Sequence, residues 1–151
     1  MSKPWLAHYP AGVPADIDVD RYQSLVQLAE EAFAEFPTRD AYVQMGRAIT
    51  YADLEVQSAA FGAWLQQHAG LERGDRVAIM LPNVLQYPIA LLGVLRAGGV
   101  VVNTNPLYTT RELEHQLNDS GAEIIVILEN FAHVLQEVIR SEEHTSELQS
   151  H

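Results

Sequence analysis

The sequence predicts an α/β fold in which strand–helix repeats form a mostly parallel sheet. Three short runs, residues 76–81, 100–103 and 124–128, are apolar at nearly every position, and helical patterns separate them. Their centres lie about 24 residues apart, which suits a strand–helix–strand crossover. Continuous apolar strands that alternate with helices indicate a parallel sheet covered on both faces.

The segment before these repeats has a different composition. Residues 1–21 are rich in Pro, Gly, Ala and Asp, which predicts an irregular leader. Trp5, Leu6 and Tyr9 are the expected anchors by which this leader packs over another part of the protein. After the leader, apolar residues recur at helical spacing. We therefore divide the chain into a leader, residues 1–21, and a partial N-terminal α/β subdomain, residues 22–139.

A hairpin and a capped helix are predicted at the start of the subdomain. Residues 41–45 and 48–50 are short strand-like runs on either side of a Gly-Arg turn. Thr50 and Asp53 then stand three positions apart, which is the spacing of a capping box at a helix start. Gly70 suits the end of that helix, because glycine adopts the left-handed conformation without a Cβ clash.

Helices are also predicted between and after the three apolar runs. They cover residues 84–96, the stretch from Thr109 or Thr110 to Gly121, and residues 131–139. Pro88 lies inside the first of these helices. Proline lacks a backbone N–H, so we expect a first-turn position or a kink there.

The composition limits the classes of function. The net charge is −11, from 9 Lys and Arg against 20 Asp and Glu. Such a chain lacks the clustered cations that bind nucleic acid phosphates, so we expect no nucleic acid partner. It has no cysteine, which excludes disulfides, thiolate metal sites and a cysteine nucleophile. No apolar run is long enough to span a bilayer, and the expected location is the cytoplasm.

Residues 140–151, RSEEHTSELQSH, do not continue the strand–helix pattern. One interpretation is an ordinary Ser- and Glu-rich linker. The other follows from a resemblance: residues 140–150 match, residue for residue, the translation of a common sequencing-library adapter. We favour this second interpretation, a non-native tail that follows Ile139. The two interpretations differ in whether genomic DNA encodes these residues.

Generic motifs for chemistry are absent from the sequence. It has no G-x-x-x-x-G-K-[ST] phosphate loop, no G-x-G-x-x-G after a strand and no G-x-S-x-G nucleophile elbow. The histidines before the tail are not spaced by four residues and lack carboxylate partners, so no metal site is predicted. No catalytic residue is predicted in this chain either.

The polar segment Asn103-Thr104-Asn105-Pro106 stands at the end of the second apolar run. Open α/β sheets bind ligands outside the carboxyl ends of their strands, so this segment is a candidate site. A polar turn that caps the following helix explains the same residues equally well. Both interpretations stay open from the sequence.

Several segments together resemble one family. The leader WLAHYPAGVPADIDVDRYQSL, the run GDRVAIMLPN and the block NPLYTTRELEHQLNDSGA are similar to the N-terminal region of bacterial long-chain fatty acid–CoA ligases. These ligases belong to the acyl-adenylate-forming superfamily. The resemblance extends over nearly all of residues 1–139, and it implies that the chain is an incomplete N-terminal part of an adenylate-forming enzyme.

The resemblance implies a two-step reaction. Fatty acid and ATP with Mg²⁺ give an acyl-adenylate and pyrophosphate, and CoA then displaces AMP to give acyl-CoA. In the family this chemistry uses a Ser/Thr/Gly-rich phosphate loop, an aromatic–Gly–Glu–Thr segment, a ribose-binding Asp and a Lys of a mobile C-terminal domain. None of these motifs occurs here, and the single lysine, Lys3, matches none of them. We therefore expect this fragment to be inactive alone and to bind none of these cofactors tightly.

For one loop, the family resemblance implies a role of particular residues in this sequence. Asn105, Pro106, Leu107 and Tyr108 align with a region that in some relatives approaches the CoA nucleotide. The resemblance thus implies a CoA-side role for these four residues, and scaffolding of the first sheet is the alternative.

Two other functions stay open at this point. The chain could be a freestanding α/β module that binds a nucleotide or a partner, or it could come from an enzyme that adenylates a different acyl group. For a long-chain ligase, the family implies a fatty acid substrate. It leaves open a homodimer and peripheral association with the inner face of the membrane.

Overall fold

The computed structural model describes residues 3–149, with side chains described for residues 3–141. The chain alternates between helices and strands after a short 3₁₀ turn in the leader, Pro4–His8. The helices are α1 (Leu25–Glu35), α2 (Tyr51–Gln67), α3 (Gln86–Arg96), α4 (Thr110–Ser120) and α5 (Ala132–Gln149). The strands are β1 (Asp40–Gln44), β2 (Arg47–Thr50), β3 (Arg76–Met80), β4 (Val100–Asn103) and β5 (Ile124–Ile127).

The strands form two sheets. β1 and β2 pair as an antiparallel hairpin, as predicted. β3 pairs in parallel with both β4 and β5, so the strand order of the second sheet is β4-β3-β5. Each of these strands is separated from the next in sequence by a helix. The predicted α/β class with a parallel sheet is therefore confirmed.

Helices cover both faces of the parallel sheet. Val77 and Ile79 of β3 belong to a core cluster that also contains residues of α2 and α3. Met80 belongs to a different cluster, which contains Leu113 of α4 and Val138 of α5. Successive residues of a strand point to opposite faces. This explains why β3 is apolar without alternation, since each of its faces packs against a helical layer.

The helices α2 and α3 approach each other closely through small residues. A Cβ built on Gly62 would lie 2.8 Å from the Gly93 carbonyl oxygen. Beside this contact, the Arg96 guanidinium donates to the Glu55 carbonyl oxygen at 2.9 Å and to the Ser58 hydroxyl at 3.0 Å. Arg96 therefore serves the packing of α3 on α2.

The predicted capping box at the start of α2 is confirmed. The Asp53 carboxylate accepts hydrogen bonds from the backbone N–H of Thr50 at 2.9 Å and from its hydroxyl at 2.7 Å. In return the Asp53 N–H donates to the Thr50 hydroxyl oxygen at 3.1 Å. At the other end, Gly70 has φ +69°, and the next N–H, of Leu71, bonds to the Leu65 carbonyl at 3.0 Å. α2 itself ends at Gln67, and the left-handed Gly70 turns the chain three residues later.

Two predicted helix boundaries are wrong. α3 begins at Gln86, not at residue 84, and Pro88 is its third residue, so the first-turn expectation for Pro88 is confirmed. α5 follows a 3₁₀ turn at Glu129–Phe131 and continues well beyond residue 139. Glu, Gln and Leu are good helix formers, and a stretch without Gly or Pro needs no apolar face to continue a helix.

The predicted anchors of the leader do not pack against the described residues, and their packing on another part of the protein stays a prediction. Trp5 and Tyr9 are 52% and 42% exposed, and Leu6 is half-buried, so the described residues do not provide the surface that these anchors would cover. The leader instead closes on itself through an ion pair of 2.6 Å between Lys3 Nζ and Asp16 Oδ1. The division into residues 1–21, 22–139 and 140–151 stays a prediction.

Candidate functional site

The candidate site lies at the carboxyl edge of the parallel sheet. β3 and β4 are neighbours in register, with Ile79 opposite Asn103. The chain leaves β3 for α3 on one face of the sheet and leaves β4 for α4 on the other. Adjacent strands whose connections diverge in this way open a crevice at their carboxyl ends, where ligands of open α/β sheets bind.

The four predicted residues Asn105, Pro106, Leu107 and Tyr108 form a turn at this edge. The Asn105 side-chain oxygen accepts from the Leu107 N–H at 3.0 Å. The Asn105 backbone carbonyl accepts from the Tyr108 N–H at 3.1 Å. Proline restricts the backbone between these bonds, which suits a tight turn. The polar-turn interpretation therefore describes the local structure correctly.

The side chains of this turn differ in how far they are exposed to solvent. Leu107 is 81% exposed. Asn105 is also exposed, and its side-chain oxygen forms the hydrogen bond within the turn. Tyr108 is half-buried and packs against the cluster of Met80 and Leu113. The turn is thus anchored to the core at its end, while its middle faces solvent.

A capping interaction holds the turn to α4. The Glu112 carboxylate accepts hydrogen bonds from the Thr109 N–H and the Thr109 hydroxyl, both at 2.8 Å. The backbone bond from Thr109, followed by the hydroxyl bond, lowers the pKa of Glu112 below its ordinary value. The prediction that Thr109 or Thr110 caps this helix is confirmed for Thr109.

The lowered pKa of Glu112 gives an expected pH dependence for the variant Glu112→Gln. The ionised carboxylate stabilises the folded chain above its ordinary pKa, and this contribution is lost as the pH falls through the lowered folded pKa. We expect Glu112→Gln to unfold at lower urea than the parent at neutral pH, with a difference that shrinks as the pH falls below the ordinary glutamate pKa of 4.5. Urea unfolding at several pH values measures this, and a difference that stays constant with pH contradicts it.

Two further residues at the edge were not predicted as a pair. The Tyr87 hydroxyl donates to the Asn103 side-chain oxygen at 2.6 Å, and so joins the first turn of α3 to the end of β4. The Gln116 side-chain amide of α4 donates to the Asn103 backbone carbonyl at 3.1 Å. Asn103 was part of the polar segment singled out from the sequence, whereas Tyr87 and Gln116 were missed. The first turn of a crossover helix lies at the same sheet edge as the strand ends, and that rule could have found Tyr87.

Backbone bonds hold the strand end itself in place. The Thr104 N–H continues the ladder to the Ile79 carbonyl at 3.0 Å. The Thr104 side chain is buried, and its hydroxyl donates to the Val102 carbonyl at 3.3 Å. The Gln116 side-chain oxygen is buried without a hydrogen-bond partner among the described residues. Asn103 therefore occupies a fixed position between α3 and α4.

A separate apolar cleft of about 500 Å³ lies between α1, the hairpin, α2 and α3. Leu28, Phe33 and Leu92 contribute apolar walls, and Tyr87 also lines the cleft. Within residues 3–141, no group of three His, Asp or Glu side chains is placed to hold a metal ion. None of the described helices has the length and apolarity that a membrane span requires.

Most of the chain is similar to known proteins. Residues 29–151 match the family described as AMP-binding enzyme. The chain is 60% identical over 139 residues to the long-chain-fatty-acid–CoA ligase of Salmonella typhimurium, which covers 92% of this chain and 25% of that protein. The chain therefore spans about a quarter of the length of the curated relatives that it matches.

Solved structures give the same fold. A benzoate CoA ligase from Burkholderia xenovorans LB400 superposes with a TM-score of 0.72 at 22% identity, over 77% of this chain and 24% of that one. This likeness supports the fold alone. The NpsA N-terminal subdomain of Klebsiella oxytoca, solved in complex with 3-hydroxybenzoyl-AMSN, has a TM-score of 0.66 at 30% identity, over 69% of this chain and 26% of that one.

Proposed function

This chain belongs to the family of AMP-binding enzymes, and from that membership we propose that it is the N-terminal part of an ATP-dependent long-chain fatty acid–CoA ligase. The observation that carries the proposal is the 60% identity to the Salmonella typhimurium ligase along 92% of this chain. The whole enzyme would convert fatty acid, ATP and CoA to acyl-CoA, AMP and pyrophosphate.

The proposed chemistry follows from the poor reactivity of a carboxylate. Its oxygen attacks the α-phosphorus of ATP and expels pyrophosphate, so that AMP becomes a good leaving group. The CoA thiolate then attacks the acyl carbon and AMP departs. These steps require groups that screen phosphate charge and align the reactants.

The described residues do not fit the ATP and Mg²⁺ of the first step. The sequence contains no phosphate-binding loop, and no three His, Asp or Glu side chains gather in residues 3–141 to hold a metal ion. We therefore assign no ATP or Mg²⁺ ligand to this chain and propose that these cofactors bind elsewhere in the whole enzyme. The role proposed for the present residues is to build the first parallel strands and to offer their carboxyl edge to CoA.

The function is tested on the full-length enzyme that contains this segment. We expect fatty-acid-dependent exchange of pyrophosphate into ATP, followed by acyl-CoA formation when CoA is added. Hexadecanoate should be a better substrate than benzoate. Preference for benzoate would favour an enzyme that adenylates a different acyl group. ATP binding by the present chain, without any exchange in the full-length protein, would favour a freestanding module.

The second part of the proposal concerns the loop Asn105, Pro106, Leu107 and Tyr108. We expect Asn105→Asp and Tyr108→Phe in the full-length enzyme to raise the KM for CoA, each by roughly three- to tenfold, the range of one lost hydrogen bond. Asp keeps an oxygen acceptor for the Leu107 N–H, and Phe keeps the ring that packs on Met80 and Leu113. The variants therefore test contact with CoA without removing the turn. Steady-state kinetics measures the effect.

The KM for the fatty acid is the internal control for these two variants. It should stay at the wild-type value, because the loop is proposed to face CoA and not the acyl group. An unchanged KM for CoA in both variants contradicts the CoA-side role and leaves the loop as a scaffold turn.

Location and assembly complete the proposal. We propose a cytoplasmic enzyme that contacts the inner face of the membrane peripherally, where long-chain fatty acids partition, and that forms a homodimer. Flotation of the full-length protein with anionic vesicles tests the first part, and sedimentation equilibrium tests the second. Protein that does not float with the vesicles contradicts the membrane association. A monomeric mass at sedimentation equilibrium contradicts the homodimer.

A further inference from the structure

The apolar cleft between α1, the hairpin, α2 and α3 has the properties of a ligand site. Its volume of about 500 Å³ lies within the range of small-molecule sites, about 300–1,000 Å³. Its floor is fixed by packing, because Phe33, Leu54 and Leu92 are buried in one cluster. At its rim, Leu25 and Leu28 of α1 are exposed. The cleft is therefore preformed and open to solvent.

The lining of the cleft narrows the chemistry of the ligand. Among the residues that the structure describes, none that lines the cleft is charged, and all except the tyrosines have hydrocarbon side chains. The hydroxyl of one of these tyrosines, Tyr87, is already bonded to Asn103. A ligand with polar groups along its length would lose hydrogen bonds to water there without gaining others. The cleft therefore suits an unbranched hydrocarbon chain.

A cation without an ion-pair partner lies near one end of the cleft. The Arg39 guanidinium carbon is 4.9 Å from the centre of the Phe36 ring, and that ring is 6.1 Å from the ring of Tyr51, which lines the cleft. Within residues 3–141, Arg39 forms no ion pair, although Glu35 and Asp40 are near it in sequence. Arg39 is exposed, and arginine binds carboxylates through two parallel N–H groups.

The other charged groups around the cleft are occupied within the protein. The Arg96 guanidinium carbon is 5.7 Å from the centre of the Phe33 ring, but this guanidinium donates to the Glu55 carbonyl and the Ser58 hydroxyl. The Asp53 carboxylate accepts from Thr50. Of the described residues around the cleft, Arg39 is thus the cation that is available to an anionic ligand.

We propose that this cleft is a second binding site for a long-chain fatty acid, with the hydrocarbon chain in the cleft and the carboxylate at Arg39. The choice of ligand rests on the proposed ligase function. The site is separate from the reacting one, because the described residues offer no ligand for the ATP that the reacting carboxylate must meet. A fatty acid in the cleft is therefore bound without being converted there.

The test measures hexadecanoate binding to the full-length ligase by equilibrium dialysis, with the reacting site blocked by a stable analogue of hexadecanoyl-adenylate. The wild type should bind one hexadecanoate per chain. Arg39→Gln should weaken this binding roughly three- to tenfold, the range of one lost hydrogen bond. Ala29→Trp places an indole ring in the cleft and should abolish the binding. Dodecan-1-ol has no carboxylate, so it should bind the wild type and Arg39→Gln with equal affinity.

Arg47→Gln is the matched control for Arg39→Gln. Arg47 is an exposed arginine of the same hairpin, at the opposite end of β2 from Tyr51. Its substitution should leave hexadecanoate binding unchanged. Fatty-acid-dependent pyrophosphate exchange should keep its wild-type KM for hexadecanoate in all three variants, because the reacting site lies elsewhere.

Three results would overturn the inference. One is a wild type that binds no hexadecanoate while the reacting site is blocked, which would show that another part of the enzyme fills the cleft. Another is equal hexadecanoate affinity in the wild type and Arg39→Gln. The third is a rise in the exchange KM that parallels the loss of binding, since the cleft would then be the reacting site. A wild type that binds hexadecanoate as expected but lacks pyrophosphate exchange supports the inference and overturns the proposed function.

Discussion

Replacing Leu113 by alanine is expected to lower the free energy of unfolding by about 2–5 kcal/mol, the range for large-to-small changes in a packed core. Leu113 of α4 is fully buried, and it forms one cluster with Met80 of β3 and Val138 of α5. Removal of its isobutyl group leaves a cavity where α4, α5 and the sheet meet. Urea unfolding monitored by circular dichroism measures the loss.

Leu107→Ala is the matched control for Leu113→Ala. Leu107 is 81% exposed in the turn before α4, so the same change in side-chain volume removes little packing. Surface substitutions of this kind usually stay within about 0.5 kcal/mol of the parent. Similar losses for the two variants would show that Leu113 does not join α4 to the sheet as described.

Gly62→Ala is expected to destabilise the chain by about 1–3 kcal/mol, the usual effect of overpacking. This expected destabilisation is opposite in sign to the usual effect, because glycine-to-alanine changes inside helices ordinarily stabilise by about 1 kcal/mol. Here the added Cβ would lie 2.8 Å from the Gly93 carbonyl oxygen of α3. Since that oxygen belongs to the backbone, α2 and α3 must separate to admit the methyl group.

The exposed residue Ala60 provides the control on the same helix. Ala60→Gly changes helix propensity without touching α3, and it should lower the free energy of unfolding by about 0.5–1 kcal/mol. If Gly62→Ala instead raises the midpoint of urea unfolding, the close approach of α2 and α3 at Gly62 is not a constraint on this fold.

The two stability predictions bear on the proposed CoA edge. Leu113 lies in α4, directly after the turn Asn105–Tyr108, and Gly62 faces α3, whose first turn carries Tyr87. The edge is therefore positioned by the packing of helices on both faces of the sheet. The side chains at this edge are largely exposed, so substituting them should change the free energy of unfolding little. Binding of CoA can therefore be tested separately from folding.

Local features were predictable from the sequence because they depend on residues a few positions apart. The apolar run of β3 indicated a strand with both faces covered, and the Thr50–Asp53 spacing indicated the start of α2. The polar segment Asn103-Thr104-Asn105-Pro106 was predictable as a turn for the same reason, whereas the loop Asn105–Tyr108 came from the family resemblance. At residue 139 the composition predicts a helix end, because few apolar residues follow, whereas α5 continues through residues that are good helix formers.

What the sequence by itself determined is the α/β class, the capped starts of α2 and α4, and a polar turn after β4. Only the tertiary structure decided the strand order β4-β3-β5, the close contact at Gly62, and the pairing of Tyr87 with Asn103. These features join segments that lie far apart along the chain, and their formation depends on how whole elements pack. Sequence periodicity records which face of an element is apolar, but it does not record which other element covers that face.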